Sequence, residues 1–185
     1  MRGNHYFIAI IPNSTVCKEI ESFKTDFAEH FDSRQAQKVM PHITLKAPFK
    51  LQASRHDELV QWFQEPFPYP CPFQAGLKNF SAFFNRYNPV VYVDPILHPS
   101  LLSLQKNIIT NFQFAFPEIN ISDLEFRFQP HITIAYRDLS PENFEKAWMK
   151  YKMMEYEAFF DVNDFHLLQH DTKKWNVNQT HVLST

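Results

Sequence analysis

Short apolar runs alternate along this chain with stretches whose apolar residues recur at helical spacing. "HYFIAIIP" (5–12) is a compact apolar run stopped by Pro12, which predicts a buried strand. Over 13–31, Val16, Ile20, Phe23 and Phe27 fall on one helical face, with Ser14 or Thr15 as the cap. "HITLKAPF" (42–49) reads as a strand closed by Pro48, and 54–64 as a second helix. The four prolines of 66–73 suit an extended edge or connecting segment. Residues 73–84 and 90–95 read as strands around an Asn-Arg-Tyr-Asn-Pro turn, and 98–116 as a helix entered through Pro99 and Ser100. The stretch 124–139 reads as a long strand, or a strand pair interrupted near Pro130. A helix over 140–153 opens with Ser140 as cap, Pro141 at its first position and acid in its first turn. Strands over 157–171 and 175–183 close the chain.

The element order nearly repeats itself, and no linker-like segment divides the chain. The expectation is one domain over residues 1–185 with an α+β fold: two pseudo-symmetric lobes of antiparallel sheet with outer helices around a central cleft.

One pentapeptide also repeats: "PHITL" at 41–45 and "PHITI" at 130–134. At ordinary residue frequencies a second copy arises by chance about once in a thousand such chains. A lone His-x-Thr is usually a structural histidine; the duplicated form implies paired use. On a strand, His42 and Thr44 share one face while Ile43 and Leu45 share the other, and the same holds for His131 and Thr133 against Ile132 and Ile134. Lobe symmetry then brings two imidazoles and two hydroxyls to one cleft. That set suits a phosphodiester. One imidazole accepts a proton, the other donates one, and the hydroxyls hold the non-bridging oxygens. No metal or cofactor is required.

Composition narrows the substrate. The formal charge of −2 excludes a long nucleic-acid track, but a few local cations suffice for an RNA terminus or a small cyclic nucleotide. Only two glycines occur, so a glycine-rich phosphate loop cannot be written here. Cys17 and Cys71 form no CxxC pair, and no stretch approaches the ~20 apolar residues of a membrane span. A reduced, cytoplasmic setting is expected, with no membrane and no obligate protein partner. His166 and His170 have a spacing that chelates zinc on a helix, but "HLLQH" lacks the acid of HExxH and its surroundings read as strand; a metal site is not expected.

With "YFIAIIP", "PHITLKAPF" and "PHITIAYRD", the chain resembles the two-histidine phosphoesterase superfamily, the LigT-like or 2'-5' RNA ligase-like proteins. The resemblance implies His42 and His131 as the catalytic pair and Thr44 and Thr133 as phosphate clamps. It also implies chemistry on 2',3'-cyclic or 2'-5' phosphodiester bonds. Two flanks depart from the family pattern: Ala47-Pro48-Phe49 stands where many relatives carry Phe-Leu-Gly, and Tyr136 where many carry Arg, with Arg137 one later.

Further candidates come from the flanks. By alternation Lys46 continues the His42 face, either neutralising a phosphate oxygen or standing as a solvated lysine. Arg137 continues the His131 face, either binding a second phosphate or pairing with Asp138. Tyr136 falls on the opposite side and reads as structural. Phe84 and Arg86, in the turn after the third strand, offer a stacking surface and a cation for a nucleotide, or form a plain hairpin turn. Tyr6 faces the cleft or the core. Hydrolysis is the leading activity. Ligation of cyclic-phosphate and 5'-hydroxyl ends, a non-catalytic nucleotide-binding module, and a metal hydrolase through His166 and His170 are the competitors.

Overall fold

The computed structural model describes residues 3–184. Among these, eight strands form two four-stranded antiparallel sheets. The first sheet has the order β2-β1-β7-β8, from β1 (Gly3–Ile10), β2 (Ile43–Gln52), β7 (Asp164–His170) and β8 (Trp175–Val182). The second has the order β5-β4-β3-β6, from β3 (Phe73–Phe83), β4 (Val90–Pro95), β5 (Ile132–Ala135) and β6 (Glu157–Val162). The two repeated pentapeptides lead into β2 and β5, which occupy matching edges.

The pseudo-symmetry extends to the connections. A 17-residue helix, α1 (Ser14–His30), joins β1 to β2. A shorter one, α2 (His56–Gln64), follows β2, and a second 17-residue helix, α3 (Pro99–Ala115), joins β4 to β5. Each long helix packs against the other lobe's motif strand, α1 on β5 and α3 on β2. The expected aliphatic anchors are in place, since Ile43, Leu45, Ile132 and Ile134 are all buried in one core fed by both sheets.

Local chemistry set most of these elements. Asn13, rather than Ser14 or Thr15, caps α1, its side chain accepting from the Val16 amide at 3.0 Å. Ser140 and Pro141 open α5 (Pro141–Tyr151) as expected. The strand β2 runs through Pro48 to Gln52 instead of stopping there; on an edge strand the missing N–H faces no partner. The larger departure lies in 124–139. A short helix α4 (Asp123–Phe126) opens it, fixed by a capping box between Ser122 and Glu125, and only Ile132–Ala135 is strand. The alternating Leu-Glu-Phe-Arg-Phe pattern is overridden because Glu125 is drawn into a buried ion pair across the fold.

Candidate active site

Each motif histidine sits one residue before its strand, with its ring fixed in the same way. His42 donates Nδ1–H to the Met40 carbonyl at 2.7 Å, and His131 donates Nδ1–H to the Gln129 carbonyl at 2.8 Å. A carbonyl only accepts, so the neutral tautomer leaves Nε2 as the free lone pair on each ring. Aromatic neighbours hold the rings: Phe7 against His42, with centroids 4.9 Å apart, and Phe83 and Tyr92 against His131 at 5.1 and 5.5 Å. Thr44 and Thr133 line one cavity of about 510 Å³ together with His42. His131 is not among the residues that line this cavity; it immediately precedes β5, whose Thr133 does line it.

Burial pushes the His42 pKa down to about 4, aided by the charges of Lys24 and His131 and opposed by the Met40 carbonyl. Burial also lowers His131, opposed by the Gln129 carbonyl. Both imidazoles are therefore neutral at neutral pH in the free protein. An anionic phosphate between them would raise both values and recruit the proton that an acid needs.

Both motif strands carry a β-bulge just after the threonine. Thr44 lies opposite Ala9, but Lys46 lies opposite Ile8, so Leu45 is the extra residue. Thr133 lies opposite Tyr92, but Ala135 lies opposite Val91, so Ile134 is the extra residue. A bulge breaks alternation, and it overturns two expectations, those for Lys46 and Tyr136. Lys46 turns into the core rather than the cleft. It is 1% exposed, pairs with Glu125 at 2.7 Å and lies over the Phe49 and Phe112 rings. Tyr136, expected on the structural side, lines the cavity. Arg137 also reaches the cavity, through a turn at φ 59 that few side chains adopt readily. It does not pair with Asp138, whose carboxylate instead accepts from Ser33 Oγ and the Arg34 and Gln35 amides. That contact ties the loop after β5 to the segment leading into His42.

The remaining candidates lie elsewhere. Tyr6 is fully buried on the core face of β1, its hydroxyl 2.9 Å from His56 Nδ1. Phe84 is exposed and meets Phe144 and Trp148 of α5 edge-on, and Arg86 lies over Tyr87; neither lines the cavity. His166 and His170 share strand β7, and among the described residues no group of three or more ligating side chains could hold a metal ion.

Several cavity residues were missed. Phe7, His5, His170 and Trp175 form an aromatic wall, with Trp175 edge-on to Phe7 at 4.7 Å. Cross-strand pairing of His5 with His170 assembles it, which no linear pattern displays. Lys24 was legible: it interrupts the apolar stripe Val16–Ile20–Phe27 of α1, and a lysine on a buried stripe is unusual.

Residues 12–174 match the model of the 2'-5' RNA ligase superfamily. The chain belongs to that superfamily. Among similar curated proteins, a Bacillus pumilus protein named "Putative phosphoesterase" is 25% identical over 179 residues, covering 96% of each chain. A Geobacillus thermodenitrificans protein of the same name is 27% identical, covering 96% of this chain and 95% of that one. Among solved structures, Escherichia coli LigT complexed with 3'-AMP aligns over the whole of both chains with a TM-score of 0.71 at 16% identity. The Thermus thermophilus protein TT0787 aligns over 97% of each chain with a TM-score of 0.65, also at 16% identity. At such identity the structural likeness establishes the fold. The paired edge strands and lobed sheets described above are thus those of a superfamily member. No helix among the described residues is long and apolar enough to cross a membrane.

Proposed function

We propose that this protein is a metal-independent phosphodiesterase that opens 2',3'-cyclic phosphate, or cleaves 2'-5' phosphodiester, bonds at RNA ends or on nucleotides. The observation that carries the reading is the matched pair of motifs: each imidazole is locked by an i−2 carbonyl with Nε2 free, and the two motif threonines line one cavity with His42. Water attacks phosphorus opposite the departing ribose oxygen. One imidazole takes the water proton, and the other protonates the oxygen as its bond to phosphorus breaks. The Thr44 and Thr133 hydroxyls donate to the non-bridging oxygens, where charge accumulates. Arg137, at the cavity edge, is placed to meet a second phosphate. The Trp175 wall offers a face for a base, in place of Phe84 and Arg86.

Superfamily membership and relatives named as phosphoesterases support phosphoester chemistry. Complexes of LigT with 3'-AMP, phosphate, NADP+ and ATP support a cleft of nucleotide size. The family name also favours ligation as a second reading, since joining a cyclic phosphate to a 5'-hydroxyl uses the same proton transfers with the hydroxyl in place of water.

The test is a panel of 2',3'-cyclic mononucleotides, cyclic-phosphate RNA ends and 2'-5'-linked dinucleotides, assayed with EDTA present. Turnover of at least one is expected, and His42→Ala or His131→Ala should each lower it by a factor on the order of 10² or more. Activity indifferent to both substitutions, or abolished by the chelator, would reject the proposal.

A further inference from the structure

The two halves are alike in backbone and motif, yet they differ in their buried charges: Lys46 stands against Ala135 after the motif threonines, and a second difference lies in the long helices. Aligning the two 17-residue helices from their first residues sets Val16, Ile20 and Phe27 of α1 against Leu101, Gln105 and Phe112 of α3. The same alignment sets Lys24 against Ile109. Both are buried, Lys24 at 2% exposure and Ile109 at 3%. Ile109 faces a separate groove beside Phe126 and Phe128. Lys24 lines the cavity that holds His42 and the two threonines. Its Nζ donates to the Val39 carbonyl at 2.6 Å and to the Glu21 carboxylate at 2.9 Å. Val39 lies three residues before His42, so the lysine also braces the segment that carries the imidazole. A buried ammonium costs several kcal/mol in desolvation, and the equivalent position is filled well by isoleucine, so packing alone does not call for lysine.

We propose that Lys24 makes the two imidazoles unequal, holding His42 as the acceptor of the water proton and leaving His131 as the donor to the departing oxygen. This rests on the phosphodiesterase reading above and assigns the two roles that reading left open.

Among the described residues, the charges facing His42 are few. From α1 come Lys24, with Glu21 behind it, and from the second lobe His131 and Arg137; His5 and His170 stand on β1 and β7. Arg137 is exposed, and its guanidinium lies over the Tyr136 ring, so solvent screens it. Lys24 acts through a buried path where screening is weak. The charge lowers His42 and has no counterpart at His131, which is lowered by burial alone. When an anionic phosphodiester draws one proton into the site, that proton resides on His131. The balance of the step follows. Water oxygen bonds to phosphorus as its proton passes to His42 Nε2. The ring P–O bond breaks, and its oxygen takes the proton from His131 Nε2. One water is added overall, and the proton returns from His42 to His131 through solvent.

Two substrates separate the roles. A 2',3'-cyclic nucleotide releases an alkoxide, which needs an acid. The cyclic phosphate of 4-nitrocatechol releases a phenolate, which does not at neutral pH. His131→Ala should lose a factor on the order of 10² on the first and no more than about tenfold on the second, while His42→Ala loses on the order of 10² on both. The opposite pattern overturns the assignment, whereas no loss from either substitution on either substrate overturns the phosphodiesterase reading itself. On the nitrocatechol ester the rate rises with pH as the base loses its proton. Lys24→Met should move that rise upward by about 0.5 pH unit or more, and Lys24→Arg should keep it near that of the parent. A slower Lys24→Met enzyme with an unmoved rise would mean that Lys24 only supports the fold, and would overturn its proposed role. If Lys24→Met does not fold, the two histidine variants still decide the assignment.

Discussion

His42 shows how a single residue couples site chemistry to stability. Its folded pKa is about 4, against an ordinary value of 6.5. Folding therefore favours the neutral ring, and the unfolded chain binds the extra proton. The stabilisation is complete above pH 6.5 and is lost as pH falls from there towards about 4. In urea unfolding of the free protein, the midpoint should drop across this window, and His42→Gln should flatten the drop. A phosphate ligand should reverse the order by raising the imidazole pKa values. Residue identity also shows where linear reading stops. Lys46 and Ala135 hold equivalent positions two residues after the motif threonines, and both are buried. Alternation sends each to the cleft, and the bulges send each to the core.

At the scale of elements, the buried pair between β2 and α4 explains a segment that patterning misreads. Glu125 accepts from Lys46 Nζ at 2.7 Å and the Ala47 amide at 3.0 Å, while its other oxygen accepts from the Ser122 amide and hydroxyl. The first oxygen anchors β2 and the second closes the helical turn. Glu125→Ala should therefore cost about 3 kcal/mol or more, read from urea unfolding, because it strands a buried ammonium as well as opening the cap. Most other elements were legible because their signals are local. Pro12 ends β1, Ser140 and Pro141 start α5, and the period of apolar residues gives α1 and α3. The α4 turn was not, since its decisive partner lies 79 residues away.

At the scale of the whole molecule, the helices that join each strand pair cross to the opposite lobe, α1 to β5 and α3 to β2. One continuous core receives residues from both sheets. Neither lobe keeps a complete core without the other. We therefore expect a single cooperative unfolding transition, with far-ultraviolet dichroism and tryptophan fluorescence changing together; two separated transitions would contradict it. The exchanged helices also fix β2 relative to β5, the two strands that bring the motif threonines to one cavity. The sequence by itself determined the two His-x-Thr strands, their aliphatic anchors, the paired lobes and the type of chemistry, because periodicity and short-range capping act over a few residues. Only the tertiary structure decided that Lys46 is buried, that Tyr136 and Trp175 face the cavity, and that Lys24 lines the same cavity as His42. Bulge positions, cross-strand partners and buried charge pairs arise from contacts between segments far apart in the chain, and no local pattern encodes them.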